Sequence, residues 1–203
     1  GSAPAPIAAN VSASRSDAAM QIEPTAIADV KLITPKKFGD HRGFFSEVWS
    51  RKAWAEAGLD GEFVQDNHSY SAEAGVIRGL HFQLEPFAQA KLVRVARGRI
   101  LDVAVDLRAG SPTYGRHVAA ELSAANWRQL FVPVGFAHGF CTLEPDTEVL
   151  YKVTNLYAPA HDRGLAFDDP ALGIDWGIDP ARAILSEKDR RHPRLADIGT
   201  PFA

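Results

Sequence analysis

Apolar and polar residues alternate in short runs along most of this chain, and Gly, Pro, Asp and Asn separate the runs. The run ADVKLI over 28–33 predicts a first strand, closed by Thr34-Pro35. FGDHRGFFSEVW holds a turn at Gly39-Asp40 and then a strand over 44–49. Ser50 suits the N-cap of the one clear helix of this half, RKAWAEA, which Gly58 stops. Further strands are predicted around 63–71, 76–83, 91–97 and 99–106, with Arg97-Gly98 as a tight hairpin between the last two. SPTYG reads as a turn, HVAAEL as a strand, SAANWRQ as a capped helical turn and QLFVP as a strand ended by proline. VGFAHGFCTL and TEVLYKVTNLY follow as two more strands, separated by EPD. Short strands at regular spacing with turn signals between them imply an all-β sandwich or barrel. From Asp168 onward the chain shows helical turns and no clean strand, and Ser186 is placed to cap a short C-terminal helix.

The chain has no repeat of fixed period and no interior linker, and 203 residues suit one substantial core rather than two. A net charge of -3 argues against a surface that binds nucleic acid through a bulk positive field. No apolar run reaches the roughly 20 residues of a membrane-spanning helix. The single cysteine, Cys141, excludes an intrachain disulfide framework and fits a reducing compartment such as the cytoplasm. Residues 1–19 differ from the rest: rich in Ala, Ser and Pro and free of aromatics, they read as a tail whose opening Gly-Ser resembles a cloning scar. Met20, the only methionine, is a plausible start for one domain over 20–203. A natural N-terminal extension is the competing reading.

Candidate chemistry concentrates in residues 65–94, QDNHSYSAEAGVIRGLHFQLEPFAQAKLVR. Strict alternation in VIRGLHFQ puts Ile77, His81 and Gln83 on one face and Arg78, Leu80 and Phe82 on the other. A bulge at Gly79 would bring Arg78 and His81 to the same side. Arg78, His81 and Lys91 on neighbouring strands would then converge on an anionic, oxygen-rich small molecule. A lone strand histidine is more often a satisfied core or surface group than a catalyst, but nearby positive charge would hold His81 as a neutral base. Tyr151 reads as a packed, singly hydrogen-bonded phenol unless it faces His81 across a cavity, where it could be a general acid. Lys91 is an edge lysine or, lining a cavity, a stabiliser of an enolate oxygen. His138, between small residues, opens a metal alternative with His81 and Gln83, which Gln83 serves poorly as a ligand. Asp189 is a solvated helix residue or a carboxylate that orients an imidazole.

The segments FGDHRGFFSEVW, FVQDNHSYS, VIRGLHFQ, AKLVRVARG, DVAVDLRAGSPTYG, LFVPVGFAHGF and EVLYKVTNLYAP together resemble the dTDP-4-dehydrorhamnose 3,5-epimerase family, in order from about Met20 to Asp189. The resemblance implies a cupin-type antiparallel β jelly roll or barrel that forms a homodimer, with an active site inside the barrel that needs no metal and no cofactor. It implies a dTDP-sugar substrate and epimerisation at C3 and C5, in the making of rhamnose for cell-surface polysaccharide or of another deoxysugar. It assigns His81 as base, Tyr151 as acid, Asp189 as partner of the histidine and Lys91 as neighbour of the C4 carbonyl oxygen. Arg78, Gln65, Asp66, Asn67 and His138 match substrate-contacting positions, and Lys188 and Asp162 match later binding positions. Arg42, Phe44 and Glu47 match positions that hold the nucleotide, in part from the partner subunit. One departure is Leu156, where the rhamnose branch often carries an aromatic associated with stacking on thymine; Tyr157 would face the other way in a strand. Single-site epimerases, ketoisomerases, a metal-dependent cupin oxygenase and a sugar-nucleotide binding module are the rival readings.

Overall fold

In the computed structural model, which describes residues 19–59 and 61–203, the alternating runs become thirteen strands and one α-helix. The extension expected over 1–19 lies outside the described residues except for Ala19. The strands are β1 (Met20–Pro24), β2 (Lys31–Pro35), β3 (Phe38–Asp40), β4 (Gly43–Phe45), β5 (Gln65–Ser71), β6 (Ile77–Gln83) and β7 (Lys91–Arg97). They continue with β8 (Arg99–Asp106), β9 (His117–Ser123), β10 (Gln129–Val132), β11 (Phe136–Thr142), β12 (Thr147–Val153) and β13 (Asp162–Gly164). Helix α1 (Arg51–Glu56) begins where expected: Ser50 Oγ accepts from the Ala53 amide at 3.2 Å, and Gly58 leaves the helix at a φ of 70°.

Two antiparallel sheets face each other, one ordered β1-β2-β10-β7-β12-β5 and the other β13-β6-β11-β8-β9. This is the cupin-type jelly roll. Period-2 alternation turns Val93, Val95, Leu130, Val132 and Val149 of the first sheet against Ile100, Ala104, Val118, Leu122, Phe136 and Phe140 of the second. The outer face of the second sheet, with Ile77, Leu80, Phe82, Val103, Val105, Ala137 and Cys141, is covered by Leu165, Phe167, Leu172, Trp176 and Ala183 of the C-terminal segment. That segment therefore has a structural reason to return to the barrel, and it brings Asp189 with it. On the outer face of the first sheet, Trp54 of α1 packs with Ile33, Ala90, Leu92 and Phe131.

Several local expectations change. β7 and β8 do not form a hairpin, because they belong to different sheets: β7 pairs with β10 and β12, and β8 with β11 and β9. Gly98 instead carries the chain across the sandwich at a φ of 79°, so close to Thr147 that a Cβ would lie 2.2 Å from its Oγ1. The turn at Gly39-Asp40 sits two residues later, between β3 and β4, and the strand expected over 44–49 ends at Phe45. SAANWRQ is a turn rather than a helical one: Ser123 and Asn126 exchange side-chain-to-amide hydrogen bonds of 3.0 and 2.9 Å, and Trp127 has a φ of 62°. β1 has no alternating burial to reveal it, since four of its five residues are exposed. The C-terminal segment holds short 3-10 turns at Pro180–Arg182, Asp189–Arg191 and Leu195–Asp197, and Ser186 Oγ accepts from the Asp189 amide at 3.1 Å.

Candidate active site

The site begins with a slip in register. His138 on β11 pairs with His81 on β6, but Phe140 pairs with Arg78, so Gly79 and Leu80 share the single residue Gly139 opposite them. Gly79 has a φ of 128°, and a Cβ on it would lie 2.6 Å from Gly139 Cα. The bulge moves Arg78 off the face of Leu80 and Phe82 and onto that of His81. Ile77, which strict alternation would put beside His81, joins Leu80 and Phe82 in the outer core.

Arg78, His81, Lys91, His138, Tyr151, Lys188 and Asp189 line a cavity of about 440 Å³. A neighbouring cavity of about 400 Å³ shares His81, Lys91, Tyr151 and Lys188 and adds Gln65, Asn67 and Asp162. His81 belongs to the five-stranded sheet and Tyr151 to the six-stranded one, so they reach the same space from opposite walls. Lys91 and Tyr151 come from adjacent strands, and Tyr151 is flanked in register by Val93 and Asn67.

Hydrogen bonds and burial tune these groups. His81 Nε2 lies 2.6 Å from Asp189 Oδ1. Burial pushes the Asp189 carboxyl up, but the hydrogen bond and charge of His81, with Ser186, outweigh it and hold the group below the usual carboxylate range. The carboxylate is thus the acceptor and Nε2 the donor, which leaves the lone pair of a neutral His81 on Nδ1. Burial pushes Lys91 down to about 8 against the pull of Asp162 and Asp102. Burial raises the Tyr151 phenol, with Arg78 opposing, so it stays protonated at neutral pH. His138, bonded through Nε2 to Asp102 Oδ1 at 2.7 Å, is held below the ordinary histidine range by burial. Lys188 is ion-paired with Asp162, which also accepts from Tyr157 Oη at 3.1 Å. An imidazole, a protonated phenol and a lysine around one cavity can remove a proton, return one and stabilise negative charge between the two steps.

The family model described as dTDP-4-dehydrorhamnose 3,5-epimerase matches residues 24–197. The chain belongs to the dTDP-4-dehydrorhamnose 3,5-epimerase family. A Sinorhizobium fredii dTDP-4-dehydrorhamnose 3,5-epimerase is 57% identical over 187 residues, covering 90% of this chain and 93% of the relative. The family's Bacillus anthracis structure, with TDP and PPi bound, superposes with a TM-score of 0.84 at 52% identity over 87% of this chain and 100% of that one. The Legionella pneumophila structure, in complex with dTDP-4-keto-L-rhamnose, gives a TM-score of 0.86 at 43% identity over 91% and 98%.

Not every residue matched to the family reaches the cavity. Alternation along β5 directs Gln65, Asn67 and Ser69 inward and Asp66 outward, where its carboxylate pairs with Lys152 at 3.2 Å; this corrects the expectation for Asp66. Arg42, Phe44 and Glu47 lie on or just after the exposed β3–β4 hairpin and line neither cavity. Arg42 is held there by Asp40, at 3.0 Å from Nε to Oδ2, and Phe44 packs edge-on against Trp127. The metal alternative grouped His81 with Gln83 and His138; among the described residues the side chains gathered closely around His81 are instead Asp189 and His192, while His138 Nε2 lies 2.7 Å from Asp102 Oδ1. Two residues went unassigned in the sequence. Tyr157 lines the rim of the second cavity because β12 ends at Val153, so strand alternation does not govern it; Leu156 and Tyr157 are both exposed, and only Tyr157 lines the cavity. His192 packs beside His81 and Asp189; its position three residues after Asp189, one helical turn away, was the available signal.

Proposed function

We propose that this chain inverts C3 and C5 of a dTDP-4-keto-6-deoxyhexose in deoxysugar (rhamnose) biosynthesis. The observation that supports it most is that His81 and Tyr151 face one cavity from opposite sheets, with Lys91 beside them. The C4 carbonyl acidifies the hydrogens on C3 and C5. Neutral His81 takes such a hydrogen as a proton on Nδ1, and the ionised Asp189 stabilises the imidazolium that forms. The electron pair moves into the C4 carbonyl, and the Lys91 ammonium faces the resulting enolate oxygen. Tyr151 then gives its phenolic proton to the carbon from the opposite face, which inverts the centre. Solvent restores both groups before the second carbon reacts.

Arg78 and Lys188 supply positive charge toward the diphosphate, while Gln65, Asn67, His138 and Asp162 complete the polar lining for sugar and nucleotide. Arg42, Phe44 and Glu47 sit on an exposed apolar hairpin, with Phe44 55% and Phe45 70% exposed, which suits a contribution to the cavity of a second copy in a homodimer. The reaction calls for no metal and no cofactor. The reaction needs neither nucleic acid nor membrane. Among the described residues no helix is long and apolar enough to cross a bilayer. A cytoplasmic location fits the free Cys141.

The test is to incubate the protein with dTDP-4-keto-6-deoxyglucose, with and without a chelator, and assign the product by proton NMR. Inversion at both carbons, unaffected by the chelator, is expected. Inversion at one carbon would reassign the chain as a single-site epimerase, and no turnover would overturn the proposal.

A further inference from the structure

His192 has no part in the reaction just described, yet it is built into the wall behind the base. Its side chain is only 8% exposed and presses on Gly164 so closely that a Cβ at that glycine would lie 2.2 Å from the ring. Gly164 is the β13 partner of His81, so the fold sets the two imidazoles edge to face, with centroids 5.4 Å apart at 90°. His192 Nδ1 lies 3.8 Å from Asp189 Oδ1, the same oxygen that receives His81 Nε2. Neither ring nitrogen of His192 has a hydrogen-bond partner among the described residues. Leaving a buried polar group so costs about 1–3 kcal/mol, and such groups mark places where an ion or a water belongs.

We propose that His81, Asp189 and His192 form a site for a first-row divalent transition ion that switches the epimerase off. Ligand atoms of the three side chains lie within 4.8 Å of one another, and two imidazoles with one carboxylate are a donor set that Zn²⁺, Co²⁺ and Ni²⁺ accept. Tetrahedral bonds of about 2.0 Å separate ligand atoms by roughly 3.3 Å, so the His81–Asp189 pair must part slightly while His192 draws in. The fourth position opens to the cavity and takes water. Lys188, a nearby cation, is ion-paired with Asp162 rather than with Asp189.

The inference rests on His81 being the base, and the inhibition follows from its tautomer. An ion on Nε2 needs the lone pair there, so the ring proton moves from Nε2 to Nδ1. Nδ1–H has no lone pair to accept a proton from carbon.

The experiment compares wild type with His192→Phe, whose ring fills the space against Gly164 without offering a ligand. Zn²⁺ is titrated against epimerase turnover and reversed with a chelator, and Co²⁺ binding is followed by visible absorption without substrate. Wild type should be inhibited reversibly and show the intense bands of four-coordinate cobalt. His192→Phe should keep its metal-free turnover, need at least about tenfold more Zn²⁺ for the same inhibition and lose the cobalt bands. If phenylalanine does not fold here, as judged by the thermal melt, His192→Gln takes its place. Equal inhibition and equal spectra in both proteins, or no cobalt binding by wild type, would overturn the site. Absent turnover in metal-free wild type would sink the epimerase reading instead, and the cobalt spectrum would still decide whether the site exists.

Discussion

His81 Nε2 and Asp189 Oδ1 lie 2.6 Å apart although 108 residues separate them along the chain. The carboxylate comes from a 3-10 turn at the end of a segment that returns to cover the outer core of the five-stranded sheet. Asp189→Asn keeps the shape and removes the charge that stabilises the imidazolium. We expect kcat to fall by at least about 100-fold with KM changed far less, measured by steady-state kinetics at neutral pH. A raised KM with kcat unchanged would assign Asp189 to binding rather than to the base.

Tyr151→Phe tests the second proton. The phenol is kept protonated by burial, and phenylalanine fills the same wall without a proton to give. Exchange of substrate hydrogen with solvent should persist in this variant, while inversion falls by about 100-fold or more. NMR of the recovered sugar separates the two outcomes.

Lys91 offers a prediction in which stability and activity move in opposite directions. Burial lowers its folded pKa to about 8, below the unfolded value, so folding disfavours the ammonium. Between about pH 8 and the unfolded lysine value the unfolded chain holds more protons, and this group's contribution makes stability rise with pH. Below about pH 8 the full penalty remains. Lys91→Met should therefore raise stability at pH 7 by about 2–3 kcal/mol in denaturant melts. The same substitution should lower kcat/KM, and the wild-type kcat/KM should decline as pH rises through about 8, a limb that Lys91→Met lacks.

Gly79→Ala tests the bulge. A Cβ there meets the Gly139 backbone at 2.6 Å, and the φ of 128° is costly for any L side chain. Destabilisation of about 3 kcal/mol or more is expected from a thermal melt. Activity per folded molecule should also fall, since Arg78 and His81 share a face only through this slip.

The all-β class was legible because burial on one face writes a period of two into the chain, and β7 and β8 appear at their expected residues. What joins them was not legible. Arg97-Gly98 has the composition of a hairpin, but the side chains on both flanking strands face the same core from opposite sheets, and that is decided by pairing with distant strands. Within the site, Gly79 signalled a bulge through its lack of a side chain, and the slip brought Arg78 to His81. Alternation also carried the information that Asp66 points away from Gln65 and Asn67, although family likeness groups all three. Tyr157 lies beyond a strand end and His192 just past a 3-10 turn, where no period predicts direction.

The central claim is that one imidazole, at position 81, removes the proton from each carbon beside the ketone. It is tested most directly by incubating the 4-keto nucleotide sugar in deuterated water with wild type and with His81→Ala, and following mass gain at C3 and C5. The account predicts deuterium at both carbons with wild type and none above the buffer rate with His81→Ala. Undiminished incorporation by folded His81→Ala would contradict it.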